Sequence, residues 1–192
     1  MKKMSRDQDW SLLQKYVDDP SLLEHSLVVE TIMRYYARLN NEDPDVWGVT
    51  GLLHDLDWQK FPEKQHCFKT AEILRAHAVD EFYIHAIMSH DCHCTGVFPK
   101  TLLEKNLYAI DELSGIILAD IRIRPSQSVL DLKAKSVKKK FKSPSFARGV
   151  DRNAITEGIA WLNSDLTTTI NHCLTALQEN AAALGLVGNI DQ

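Results

Sequence analysis

Apolar residues recur at intervals of three and four along most of this chain, and strand-like alternation between turn residues is scarce. The clearest case is the segment from about Thr101 to Ile123, an apolar stripe that Pro125 stops. This period is that of an α-helix with one buried face. The sequence therefore predicts an all-α fold, with this long helix central to the core.

Caps and helix breakers place the remaining elements. At 192 residues the chain suits one all-α domain, and we expect a core over about 20–123 and a helical extension over about 126–192. Gly48 and Gly51 are small enough for close helix packing. Besides the long helix, we predict a loop at 91–99, a turn at 143–145 and helices at about 21–40, 44 to between 58 and 62, 63–77, 80–90, 128–141, 151–163 and 166–184.

Composition is that of an ordinary globular protein, with 44% hydrophobic and 25% charged residues. No stretch approaches the roughly 18 apolar residues of a membrane span, and the polar first ten residues contain no leader-like segment. The four cysteines include no C-x-x-C pair, which fits reduced thiols. We therefore expect a cytoplasmic protein without a membrane partner.

Positive charge is concentrated in one segment. The net charge of −4 argues against a dedicated nucleic-acid binder, yet nine Lys or Arg and one acid lie between Arg122 and Arg148. A solvated face of an amphipathic helix is the ordinary explanation. The alternative is that part of this tract attracts phosphate, with Arg122 and Arg124 binding the substrate.

His25 lies on a predicted apolar helix face, in register with Leu22 and Val29. A buried imidazole needs a partner, and an ordinary hydrogen bond in the core would suffice. His54-Asp55 directly follows an apolar run, so an imidazole and a carboxylate stand side by side near the end of a packed helix. Such a pair can chelate a divalent metal.

Asp111 lies four residues after Leu107 on the most apolar helix, where an unpaired carboxylate would be costly. A salt bridge to a buried Arg, or an exposed edge of the stripe, would also explain it. Taken together, three predicted helices each direct a metal-type ligand from a core-facing or near-core position. The sequence therefore predicts a metal site built around His25, His54-Asp55 and Asp111.

The order His25, His54-Asp55, Asp111 resembles the H…HD…D signature of the HD-domain metal-dependent phosphohydrolases, an all-α superfamily with its ligands on separate helices. The resemblance runs from about His25 to Ile121. It implies an HD-type helical bundle and an enzyme that hydrolyses a small phosphorylated metabolite, with a nucleotide the favoured class.

The resemblance also implies a second metal, held by His66 and His90 with Asp55 as the bridge. Imidazole and carboxylate ligands suit Fe, Mn, Zn, Co or Ni, so one or two divalent ions of this group are expected. Two alternatives stay open: His66 could be a solvated first-turn residue, and the run from Asp91 to Cys94 could contribute to a separate zinc-type site.

The residues after the HD pair depart from the superfamily pattern of an aliphatic residue, glycine and often lysine. Here the segment is Leu56-Asp57-Trp58-Gln59-Lys60. Asp57 could act as an outer base or orient a ligand, or could instead cap a neighbouring element. The catalytic residues we expect are Asp55, Asp57 and Lys60, the last in the phosphate-facing role at a shifted position.

Three functions fit these residues. A metal lowers the pKa of bound water towards about 7, which makes phosphate ester hydrolysis feasible at neutral pH. The six-ligand pattern also resembles the superfamily's inositol-oxygenase branch, a di-iron oxygenase on the same scaffold. The third is a non-catalytic module that binds a nucleotide or nucleic acid through the basic helix. Substrate identity and oligomeric state are left open.

Overall fold

The structure, a computed structural model, describes residues 5–61 and 63–189. Within those residues, α-helices are joined by turns and short 3₁₀ segments, and no β-strand is present. The predicted all-α fold with additional C-terminal helices is confirmed. The helices are α1 (Arg6–Tyr16), α2 (Pro20–Leu39), α3 (Pro44–Leu53), α4 (Phe68–Ala76), α5 (Glu81–Met88), α6 (Cys92–Thr95), α7 (Leu102–Ile123), α8 (Ala134–Phe141), α9 (Arg152–Trp161) and α10 (Leu166–Glu179).

The chain divides into two compact units, Met1–Tyr108 and Ala109–Gln192, with the boundary inside α7. In the first unit, α1, α3, α4 and α5 contribute to one cluster of buried aliphatic side chains. In the second unit, α8 and α9 pack on α10. None of the described helices has the length and apolar character needed to span a membrane. The predicted single domain, with a core over 20–123, stays a prediction.

Helices α2 and α3 pack closely because Gly51 has no side chain. A Cβ on Gly51 would lie 3.0 Å from the backbone of Val29 and Glu30 on α2. A Cβ on Gly48 would meet the side chain of Arg34 instead. The predicted role of both glycines in close packing is confirmed. This contact matters for the site, since α2 carries His25 and α3 ends just before His54.

The N-terminal helix α1 was not predicted. Its start is fixed by a capping box, in which Ser5 Oγ accepts a hydrogen bond from Gln8 N and Gln8 Oε1 accepts one from Ser5 N. Arg6 then pairs with the buried Glu30 of α2 at 2.8 Å. The Ser-x-x-Gln spacing is a sequence signal for this helix, but the strongly polar residues around it conceal a buried face with Leu13 at its centre.

Helix α3 ends at Leu53, earlier than predicted, and residues 54–60 form tight turns instead. Leu56 N donates to Leu53 O at 3.2 Å, and Trp58 N donates to Asp55 O at 3.0 Å. The side chain of Gln59 holds this segment by accepting hydrogen bonds from the backbone N–H groups of Asp18 and Asp19, at 2.8 and 3.0 Å. These contacts from the α1–α2 junction compete with continuation of the helix.

Two other boundary differences also arise where side chains bond the backbone. The basic helix begins at Ala134 rather than near 128, because Ser128 Oγ accepts from Leu130 N and Asp131 pairs with Arg124 in a turn. Helix α10 ends at Glu179 rather than near 184, where Asn180 Nδ2 donates to the Ala176 carbonyl. The predicted loop at 91–99 contains the short helix α6.

The start of α7 is held by Glu104. Its Oε2 accepts the backbone N–H groups of Lys100 and Thr101 at 2.6 and 2.8 Å, and its Oε1 accepts His85 Nδ1–H at 2.8 Å. Burial acts to raise the pKa of Glu104, but these donors more than offset it and the pKa lies below its usual range. Glu104 therefore ties α5 to the beginning of α7.

We predict that Gly51→Ala lowers the free energy of unfolding by about 1–3 kcal/mol, because the added methyl group collides with the α2 backbone. Urea denaturation measures this change. Gly149→Ala is the matched control, since a Cβ there meets nothing within 4 Å. Equal stability of the two variants would show that α2 and α3 do not need their close approach.

We expect Glu104→Gln to lower the free energy of unfolding by about 1 kcal/mol at neutral pH, through loss of a charged helix cap. Because the folded-state pKa of Glu104 is lowered, this contribution is complete above its ordinary pKa of 4.5. It is lost as the pH falls below that value. Urea denaturation of both proteins across this range checks the sign, and a difference independent of pH would contradict it.

Candidate metal centre

His54 is fully buried at the C-terminal end of α3. Its Nδ1 lies 2.8 Å from the carbonyl oxygen of Gly51, three residues earlier. The last carbonyls of a helix have no partner within the helix, so the ring N–H satisfies one of them. This hydrogen bond places the proton on Nδ1 and leaves the lone pair of Nε2 directed away from the helix.

His25 of α2 meets His54 at that lone pair. The two Nε2 atoms are 3.1 Å apart, and they lie 3.8 Å (His25) and 3.4 Å (His54) from Asp55 Oδ2. The close packing of α2 on α3 at Gly51 brings the two rings together. Their ligand atoms and a carboxylate oxygen of Asp55 all lie within 4.8 Å of one another, a group that could hold a metal ion.

A second pair of histidines faces the other oxygen of the same carboxylate. His66 Nε2 and His90 Nε2 lie 3.5 and 3.4 Å from Asp55 Oδ1, and 3.2 Å from each other. His90 follows α5 and, like His54, has its Nδ1 2.6 Å from the carbonyl three residues earlier, that of Ile87. Asp55 thus lies between two imidazole pairs, one on each oxygen.

Asp57 is fully buried behind His66. Its Oδ1 lies 2.8 Å from His66 Nδ1, and its Oδ2 accepts the backbone N–H of Thr70 at 2.8 Å. The first contact orients the imidazole, and the second satisfies a donor in the first turn of α4, whose N-cap residue Cys67 makes no side-chain cap. Asp57 therefore makes the contact expected for helix capping and also contacts an imidazole, while its role towards a metal ligand stays a prediction.

The charge of Asp55 is maintained by its neighbours. Burial acts to raise the pKa of this carboxyl group, but the charges and hydrogen bonds of His54 and His90 outweigh it and hold the pKa well below its usual range. The side chain is 16% exposed, and that of His25 is 17% exposed, whereas His54, His66 and His90 are buried. Asp55 and His25 are therefore the members of the cluster that solvent reaches.

The pKa of His66 is also shifted by its neighbours. Burial acts to lower its pKa, but the hydrogen bond that His66 donates to Asp57, a hydrogen bond with Cys67 and the nearby charge of Asp55 act in the opposite direction, and the pKa rises to about 9. The Nε2 atoms of His66 and His90, 3.2 Å apart and beside Asp55 Oδ1, leave a position that a cation could occupy.

The distances fit a metal ion. Two imidazole nitrogens that bind one zinc ion at about 2.0–2.1 Å lie roughly 2.9–3.4 Å apart for bond angles between a right angle and a tetrahedral angle. The observed separations are 3.1 Å for the pair of His25 and His54, and 3.2 Å for the pair of His66 and His90. Nitrogen and carboxylate donors suit a divalent transition metal.

Sequence reasoning did not identify Cys67 as part of this region. Its buried Sγ lies 3.8 Å from His90 Nδ1, and with His66 and His90 it forms a further group that could hold a metal ion. Burial acts to raise the pKa of the thiol, but the imidazoles of His90 and His66 lower it overall. Cys67 has a positive φ of 64°, a backbone conformation that the sequence did not reveal.

The sequence assigned Lys60 to catalysis and Arg122 and Arg124 to substrate binding. Lys60 Nζ donates to the Lys15 carbonyl at the end of α1 at 2.6 Å, and Arg124 pairs with Asp131 at 2.7 Å. Arg122 is exposed near the end of α7. Their roles in catalysis and substrate binding stay predictions.

Asp111 lies on α7 within the second unit, where its side chain is partly buried and its carbonyl accepts a hydrogen bond from Ser114 Oγ at 2.7 Å. Its role as a ligand stays a prediction.

The alternative zinc-type site near Asp91 finds no support in the structure: among the described residues, no group of three possible ligands includes Cys92, His93 or Cys94. In that part of the chain, His93 packs against Phe98 instead.

Comparison with known protein families identifies a match that covers most of these residues. Residues 22–116 match the HD domain family, a range that contains His25, the His54-Asp55 pair and Asp111. No curated protein and no solved structure gives a significant match to the chain. The segment 22–116 therefore belongs to the HD domain family, in which metal-dependent phosphohydrolases predominate.

Proposed function

We propose that this protein is a metal-dependent phosphohydrolase acting on a small phosphorylated metabolite, with a nucleotide the favoured class. One divalent ion would be held by His25, His54, Asp55 and Asp111, and a second by His66 and His90, with Asp55 bridging the two. The metal would be Fe, Mn, Zn, Co or Ni, the group that suits imidazole and carboxylate donors.

One observation supports this proposal above the others: the two oxygens of Asp55 face two different histidine pairs. Oδ2 lies on the side of His25 and His54, and Oδ1 on the side of His66 and His90. A carboxylate that only stabilised a buried histidine would need a single partner. Two pairs on opposite oxygens are the arrangement that a bridging ligand requires.

When bound, a pair of divalent ions polarises a phosphoryl oxygen and lowers the pKa of a coordinated water. The chain's own residues prepare for this chemistry. The Nδ1 atoms of His54 and His90 contact backbone carbonyls, which directs Nε2 of each ring towards Asp55. Asp55, with its lowered pKa, stays ionised at neutral pH.

Asp57 acts in this proposal as a positioning residue for His66, whose ring it holds through Nδ1. Lys60 would contact a phosphate only by exchanging its hydrogen bond to the Lys15 carbonyl. Arg124 would likewise have to leave Asp131. We propose Lys60, Arg122 and Arg124 as the phosphate-binding cations.

The test of the function is turnover of a panel of phosphate monoesters, including nucleotides, by protein loaded with Mn, Co, Ni or Fe. We expect release of inorganic phosphate, and a fall in kcat/KM of more than about 100-fold in both His54→Ala and the isosteric Asp55→Asn. His93→Ala, which changes an exposed histidine outside the centre, is the control. Oxygen consumption by the iron-loaded protein without phosphate release would contradict the proposal in favour of an oxygenase.

A second test addresses Asp57. In Asp57→Asn, the amide oxygen can accept the Thr70 N–H, which turns the amide NH₂ towards His66 Nδ1. His66 must then carry its proton on Nε2, so the lone pair that would bind a metal is lost. We expect metal affinity to fall about 10- to 100-fold, measured by titration calorimetry with Mn²⁺ or Co²⁺. Glu72→Gln, at an exposed carboxylate, should bind as the wild type does.

A further inference from the structure

Trp58 is an exposed indole directly beside the proposed metal centre. Its side chain is 41% exposed, although tryptophan is usually well buried. Its ring meets the ring of His66 edge to face, with centroids 4.8 Å apart and planes at 82°. His66 Nε2 in turn lies 3.5 Å from Asp55 Oδ1. A single imidazole therefore separates the indole from the carboxylate at the centre.

The backbone that carries Trp58 is held on both sides. Its own N–H donates to the Asp55 carbonyl at 3.0 Å, and the preceding Asp57 is fully buried. The following Gln59 is bound to the backbone of Asp18 and Asp19. Contact with the buried ring of His66 then limits the rotation of the indole side chain. Trp58 is thus a fixed apolar surface that keeps a substantial area in water.

Leaving a large aromatic ring exposed forgoes stabilisation that burial would provide. The segment could bury an apolar residue instead, as it does with Leu56 two positions earlier. A flat, rigid and partly exposed indole is well suited to stack on a planar aromatic group of a ligand. Because only the imidazole of His66 lies between the indole and Asp55, a spacer the size of one sugar would connect that planar group to a phosphate at the centre.

We propose that Trp58 binds the base of the substrate by stacking, so that the substrates are nucleoside monophosphates, in which one sugar separates the base from the phosphate. This inference rests on the proposed phosphohydrolase function. It identifies Trp58 as the residue that distinguishes a nucleotide from a phosphorylated sugar, a role distinct from metal binding or chemistry.

The experiment compares adenosine 5′-monophosphate with ribose 5-phosphate, which lacks the base, using metal-loaded protein of verified metal content. The wild type should prefer the nucleotide in kcat/KM. Trp58→Ala should reduce that preference by about 5- to 150-fold, mainly through KM, and Trp58→Phe should restore part of it. Phe98→Ala, at an aromatic residue 50% exposed and packed on His93, should keep the wild-type ratio.

A second readout does not depend on turnover. Adenosine 5′-monophosphate should quench tryptophan emission in the wild type, ribose 5-phosphate should not, and the quenching should disappear in Trp58→Phe. An equal loss of kcat/KM for both probes in Trp58→Ala, or quenching that persists in Trp58→Phe, would overturn the inference and leave phosphate hydrolysis intact. If neither probe is hydrolysed while other phosphate monoesters are, the inference about nucleoside monophosphates fails and the proposed function stands. If no phosphate monoester is hydrolysed, the proposed function fails, and selective quenching through Trp58 alone decides whether a base binds there.

Discussion

The negative charge of Asp55, placed among four imidazole nitrogens, is the interaction on which the rest of the centre depends. Each carboxylate oxygen faces one histidine pair, and the histidines in turn hold the pKa of Asp55 well below its usual range. Charge and ligand geometry thus support each other. The hydrogen bond to Asp57 and the same negative charge raise the pKa of His66 to about 9. Nitrogen and carboxylate donors grouped in this way could hold a divalent ion.

The helices serve this cluster mainly through their ends. His54 and His90 each follow the last turn of a helix and place Nδ1 on a carbonyl oxygen of that turn, Gly51 O and Ile87 O. One hydrogen bond therefore caps a helix, selects a tautomer and aims a ring. Asp57 also has two partners: it contacts the ring of His66, and it accepts the backbone N–H of Thr70 in the first turn of α4. Gly51 adds the close approach of α2 that brings His25 into the same cluster.

Much of this could be predicted from sequence because the signals are local. Helical periodicity gave the all-α fold, and the order of His25, His54-Asp55 and Asp111 indicated the superfamily. What escaped prediction depends on contacts between distant segments or on backbone angles. The turns after Leu53 depend on the hydrogen bond between Gln59 and the backbone of Asp18, and the buried face of α1 is hidden among polar residues. The contact between Cys67 and His90 accompanies a positive φ at Cys67, which the sequence does not indicate. The dual role of Asp57 likewise needs both of its partners in place.

Anomalous diffraction from crystals grown with Mn²⁺ or Co²⁺ tests the central claim most directly, because it locates ions without reference to activity. The account predicts two ions, one bonded to Asp55 Oδ2 on the side of His25 and His54, and one bonded to Oδ1 on the side of His66 and His90. In an Asp55→Asn crystal at the same metal concentration, the occupancy of both positions should fall together. An ion held by these histidines without any Asp55 oxygen, or no ion at either position, would contradict a bridging role for Asp55.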